Sequence, residues 1–258
     1  MEVSGGTLPP DGLAGTAVAR RPWLAHFTAL TLAAWALPHG LARAVTPALA
    51  QTIPSAAASP AKAPAAVQKR PAARTVLVVG DSLSAEYGLK RGSGWVALLQ
   101  GRLAERRPDS TVVNASISGD TTSGGRSRLP ALLVEHKPGI VILELGGNDA
   151  LRGLPLDMTR ANLGAMARAA KAAGARVIVV GMQVPPNYGR KYSDEFAGLF
   201  ATVAQAEGAT LVPFLLEGVT DGPQADALFQ ADRIHPNAAA HPLMLANVWR
   251  GLEPLLVR

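Results

Sequence analysis

The sequence predicts an α/β domain over residues 75–258, three layers deep with a parallel sheet in the middle. Three observations predict it. Five short runs are continuously apolar and rich in β-branched residues. Stretches of helical period lie between them. The two kinds of segment alternate, at a spacing that suits strand–helix–strand crossovers. Continuous apolarity, as opposed to strict alternation, marks strands buried on both faces, as in parallel sheets.

The elements follow in order. Residues 75–80 (TVLVVG) form the first run and close on glycine. Residues 94–106 place Val96, Leu99 and Leu103 at helical spacing. Strands are expected at 111–115 (TVVNA) and 140–145 (IVILEL). A helix over 162–173 is alanine-rich and ends at Gly174, a C-cap. Residues 176–181 (RVIVVG) repeat the strand pattern, and 194–207 form a helix closed by Gly208. A last strand at 210–214 (TLVPF) and a last helix at 241–256 complete the domain.

The first 74 residues read differently. Arg20-Arg21 precedes an apolar stretch over 23–37, short of the roughly 20 residues that span a bilayer. Small residues follow, including Ala48-Leu49-Ala50. A basic flank, a short apolar run and an A-x-A site make a secretory signal peptide, here expected over 1–50 with cleavage after Ala50. An uncleaved anchor is the competing reading. Residues 51–74 are nearly all Ala, Pro, Ser, Gln and basic residues. They cannot bury enough apolar surface to offset their ordering entropy and are expected to be a linker. A periplasmic or secreted protein follows, not stably inserted in a membrane once the signal is removed.

Composition narrows the chemistry. The net charge of +6 comes mostly from residues 1–74; the remainder carries 18 basic and 17 acidic residues. Such a balance supplies no basic stripe for nucleic acid. Aromatics are 5%, too few for base-stacking platforms, and there is no cysteine. Disulfides, thiolate metal sites and a cysteine nucleophile are excluded. Gly92-Ser93-Gly94-Trp95-Val96-Ala97 fits the spacing of a dinucleotide fingerprint but follows no strand, and the Gly-Lys-Ser of a phosphate loop is absent. No metal or other cofactor is expected, and neither is an oligomer.

Ligands of parallel α/β sheets bind beyond the carboxyl ends of the strands. Ser82, in Gly80-Asp81-Ser82-Leu83-Ser84, lies there after the first strand. It can cap a helix or act as a nucleophile. A nucleophile needs a base. Of His136, His235 and His241, only His235 has a carboxylate three residues before it, Asp232. At that distance Asp232 can accept the imidazole Nδ1–H while Nε2 faces the serine, although a D-x-x-H is also a common surface turn. Gly119 follows the second strand and Asn148 the third. A glycine N–H and an asparagine amide can donate to a developing oxyanion, or simply shape turns.

Taken in order, GDSLS, SISGDT, GGND and DRIHPN resemble the four sequence blocks of the GDSL or SGNH hydrolases. Further matching stretches, such as Leu151-Arg152-Gly153 and Asn187-Tyr188-Gly189-Arg190, resemble the periplasmic thioesterase branch of that family, whose members are esterases, lysophospholipases and arylesterases. The resemblance spans about 75–258. It implies a flavodoxin-like fold with five parallel strands. It implies Ser82 as nucleophile, His235 as base and Asp232 as its orienter. The oxyanion donors it implies are the Ser82 and Gly119 N–H groups and the Asn148 side chain. By the same resemblance Asn187, Tyr188 and Arg190 border an acyl groove, and the substrate is a small acyl ester or thioester. A carbohydrate O-deacetylase, which the same four blocks support, is the alternative.

Overall fold

The structure is a computed structural model, and it describes residues 75–222 and 225–256. The expected signal peptide and linker lie outside the described residues. Five strands, β1 (Thr75–Gly80), β2 (Thr111–Asn114), β3 (Ile140–Glu144), β4 (Arg176–Val180) and β5 (Thr210–Val212), form one sheet of order β2-β1-β3-β4-β5, with every pairing parallel. That is the flavodoxin-like order, and the chain reverses direction across the sheet between β1 and β3.

The three central strands explain the continuous apolar runs. Residues 76–79 of β1 and 140–143 of β3 have no exposure at all, and 177–180 of β4 are buried. Such burial on both faces needs a helical layer on each side. α1 (Trp95–Arg106) and α6 (His241–Leu256) pack together, and α2 (Thr122–His136), α4 (Leu156–Ala172) and α5 (Arg190–Glu207) form a second row. Phe196 and Phe200 of α5 meet edge to face, 5.2 Å between centroids, and are fully buried.

The edges depart from the expectation. β2 is half exposed and β5 is only partly buried, because each has a single neighbouring strand. Their apolar residues serve one covered face. α4 begins six residues before the expected start, and α5 four before. α2 and the short α3 (Gly147–Leu151) were not anticipated. α2 carries Gly124, Gly125 and Pro130, which break its helical signature. Its start is held by Thr121, whose hydroxyl accepts the Gly124 N–H.

Candidate active site

The reversal point of the sheet places three loops in one crevice: the turn after β1, the loop after β2 and α3 after β3. Ser82 leaves β1 on the first of them. Gly80, just before it, packs so closely that an added Cβ would lie 2.7 Å from the Glu144 carboxyl and 2.8 Å from Ser84 Oγ. Only glycine fits.

Ser82 Oγ lies 2.9 Å from His235 Nε2, although 153 residues separate them. His235 Nδ1 lies 2.7 Å from Asp232 Oδ2. The other oxygen, Asp232 Oδ1, accepts the N–H groups of Ile234 and His235, each at 3.0 Å. Arg233 between them has φ +57°, the left-handed conformation that folds the loop back under the imidazole. The His235 and Ile234 N–H groups, and then the imidazole, hold the Asp232 carboxyl down at about 2. Asp232 is therefore ionised across the pH range in which histidines titrate. Tyr87 packs on the His235 ring, 4.4 Å between centroids. The arrangement lets an imidazole take the serine proton while a fixed carboxylate orients the ring.

The oxyanion candidates lie on the turn after β1, the loop after β2 and α3. The Ser82 and Gly119 N–H groups make no hydrogen bond among the described residues. Gly119 has φ +78°, which a side chain would strain, and its carbonyl accepts from Arg152 at 2.7 Å. Arg128 secures the loop after β2 by donating to Asp120 at 2.8 Å, to the Ala115 carbonyl and to the Gly80 carbonyl. Asn148 on α3 faces the crevice and donates one amide proton to Asp81 at 3.0 Å.

Beneath this layer lies a buried polar cluster. Glu144, at the end of β3, accepts from Ser84 Oγ at 2.5 Å and from the Asp81 N–H at 3.4 Å. Burial, with the nearby Asp81 carboxyl, pushes the Glu144 pKa well above the usual carboxylate range. Ser84 in turn accepts the Trp95 indole N–H. His241 takes no part in the crevice. It is buried, accepts the Trp95 backbone N–H at 2.9 Å and, with its pKa lowered by burial, is a neutral strut at the start of α1.

The crevice opens into a cleft of about 570 Å³. Asp81, Ser82, Asn148 and His235 lie on its lining, and its walls are largely apolar: Leu83, Leu151, Met182, Val184, Phe214 and Ile234.

The sequence profile of the GDSL-like lipase/acylhydrolase family matches residues 78–243. The chain belongs to that family. It is an ester hydrolase of the GDSL type. Esterase TesA of Pseudomonas aeruginosa is 55% identical over 185 residues, which are 72% of this chain and 90% of that protein. The Escherichia coli K12 protein named thioesterase 1/protease 1/lysophospholipase L1 is 41% identical over 185 residues, 72% of this chain and 86% of its own. A crystal structure of TesA, 54% identical, superposes with a TM-score of 0.68, covering 70% of this chain and 99% of that one.

Ser82, His235 and Asn148 thus share one cleft in the hydrolase, with Asp232 held against His235, whereas Gly119 is not among the residues that line it. The three residues expected to border an acyl groove do not line this cleft. Its wall runs through Met182, Val184 and Pro185 but not through Asn187, Tyr188 or Arg190. The chain turns away in a short 3-10 helix (Pro186–Tyr188). Tyr188 there stacks on Tyr192, 6.0 Å between centroids, and Arg190 points into solvent with Asp194 3.8 Å away. The apolar wall residues were not singled out from sequence. The signal was the strand-end rule, since Met182 and Val184 follow β4, and Phe214 follows β5. Asp81 and Arg152 were also passed over, although both sit in or beside a motif.

Proposed function

We propose that the hydrolase cleaves acyl esters and thioesters through an acyl-enzyme on Ser82. The observation that carries the reading is the 2.9 Å contact of Ser82 Oγ with His235 Nε2 at the head of an apolar cleft. His235 Nε2 takes the serine proton as Oγ attacks the acyl carbon. The carbonyl oxygen becomes an oxyanion, held by the Ser82 and Gly119 N–H groups and the Asn148 amide. The imidazolium, stabilised by Asp232, returns the proton to the departing alkoxide or thiolate. A water then enters, gives a proton to His235 and attacks the acyl carbon. Ser82 leaves with that proton and the free acid is released.

Leu151, Met182, Val184 and Phe214 favour an aliphatic chain over a sugar, and the relatives named esterase, thioesterase and lysophospholipase agree with that substrate class. For p-nitrophenyl esters kcat/KM is expected to rise from acetate to medium chains, as each buried methylene adds about 0.8 kcal/mol of binding. A carbohydrate deacetylase would instead fall sharply beyond acetate, and that profile would overturn the reading. A fluorophosphonate probe should label Ser82, and only Ser82.

Export belongs to the same proposal. It rests on Arg20-Arg21, the short apolar stretch and Ala48-Leu49-Ala50. Residues 1–50 are a signal peptide, 51–74 a linker and 75–258 the hydrolase domain, which works as a monomer outside the cytoplasm and without nucleic acid. Among the described residues no helix is long and apolar enough to cross a membrane. The mass of the mature protein should match a chain starting at Gln51; retention in the membrane after alkaline washing would contradict it.

A further inference from the structure

We propose that Asp81 is a positioning residue for the oxyanion site: its two carboxylate oxygens hold the Asn148 amide and the Ser82 turn in register with each other. The proposal rests on Asn148 being an oxyanion donor. Asp81 is 2% exposed and joins the end of β1 to Ser82. Its Oδ2 accepts from Asn148 Nδ2 at 3.0 Å, and its Oδ1 accepts the Leu83 N–H, also at 3.0 Å. The Asp81 side chain therefore ties the residue after the nucleophile to Asn148, which is 67 residues from Asp81 and sits on α3.

Both bonds need an acceptor, and only a carboxylate offers two acceptor oxygens of this shape. Spending one Asn148 proton on Asp81 fixes the amide plane and leaves the second N–H directed by that plane. A donor so oriented does not have to reorganise as charge develops on the substrate. Retaining a carboxylate here works against burial, which raises the Asp81 pKa to about 6 against the pull of Leu83, Asn148 and His235, with Asp120 adding to the rise. Glu144 lies just beneath, its Oε2 3.4 Å from the Asp81 N–H. Burial, and after it the Asp81 carboxyl, pushes the Glu144 pKa well above the usual carboxylate range, while both Asp81 oxygens are engaged as acceptors by the Leu83 N–H and the Asn148 amide.

Asp81→Asn keeps the shape but turns an NH₂ group toward either Leu83 N–H or Asn148 Nδ2, donor against donor. The variant is expected to lower kcat about 10–100-fold, part of the loss that removing an oxyanion donor brings, with KM within about threefold. Its affinity for an alkyl trifluoromethyl ketone, to which Ser82 adds to leave a charged oxygen, should fall by a similar factor. The melting temperature should fall only modestly, because relief of a buried charge offsets part of the cost of the unpaired donors. The decisive measurement is the double-mutant cycle with Asn148→Ala. Without the Asn148 amide, the carboxamide oxygen that Asp81→Asn introduces can turn freely to the Leu83 N–H, so Asp81→Asn should then cost less than about threefold. Equal losses in both backgrounds, or a lone Asp81→Asn with parental kcat, would overturn the proposal. Parental kcat in Asn148→Ala would instead remove the oxyanion reading, and this proposal with it. If Asp81→Asn does not fold, Asp81→Ala in the same cycle reads the same coupling.

Discussion

Ser82→Ala is expected to lower kcat by on the order of 10⁴–10⁶, His235→Ala by about as much, and the double variant by little more than either. The geometry gives the reason. The Ser82 hydroxyl is a weak nucleophile unless His235 Nε2, 2.9 Å away, takes its proton, so neither group has a function without the other. Losses from such a unit do not add. Asp232→Ala should be about 10–100-fold milder, because the carboxylate orients the ring and stabilises the imidazolium without touching the substrate. His241→Ala is the control. Its imidazole accepts the Trp95 N–H at the start of α1, so its loss should lower the melting temperature and leave kcat near the parent. Steady-state kinetics on the five proteins, each with a thermal melt, test the assignment. A mild His235→Ala beside a damaging His241→Ala would move the base to the wrong side of the molecule and sink it.

The parts legible in the sequence were those decided by short-range pattern. The runs at 75–80, 140–145 and 176–181 are apolar throughout because β1, β3 and β4 are covered on both faces, and their ends were placed within a residue or so. Asp232 and His235 are three residues apart, so spacing made their contact possible while leaving a plain surface turn open. The contact of Ser82 with His235 was not legible from spacing, since 153 residues intervene; the strand-end rule pointed to Ser82, and the pairing itself was implied by the resemblance of the four sequence blocks. What escaped was set by packing. The half-exposed β2 has the residue types of a buried strand, because its one covered face must still fill the space beside α1. α2 is held by its neighbours and by the Thr121 cap in spite of its glycines and proline. The aromatics of the loop after β4 suggested a substrate wall. Tyr188 instead stacks with Tyr192, which stacks in turn with Phe196, and the apolar side chains nearest the strand end meet the cleft. Asp81 escaped because a carboxylate beside a buried strand has no periodicity to mark it; its use shows only where Leu83 and Asn148 point at it.

Asn148→Ala is expected to lower kcat about 10²–10³-fold, the typical loss when one oxyanion donor is removed. KM should change little. The neutral carbonyl of the bound ester gains less from the donor than the developing oxyanion does, and only that difference accelerates the reaction. Asn148→Asp should be worse than Asn148→Ala. A carboxylate there would repel the oxyanion, and it would face the Asp81 carboxyl across the 3.0 Å that now separates Asn148 Nδ2 from Asp81 Oδ2. The two acids would then share a proton, as like charges at that distance cannot both ionise. The aspartate variant's activity should therefore depend on pH in a way that the alanine variant's does not. If Asn148 served only to shape α3, Asn148→Ala would lower the melting temperature while kcat stayed within a few-fold of the parent. Kinetics and a thermal melt on that single variant separate a donor to the transition state from a turn residue.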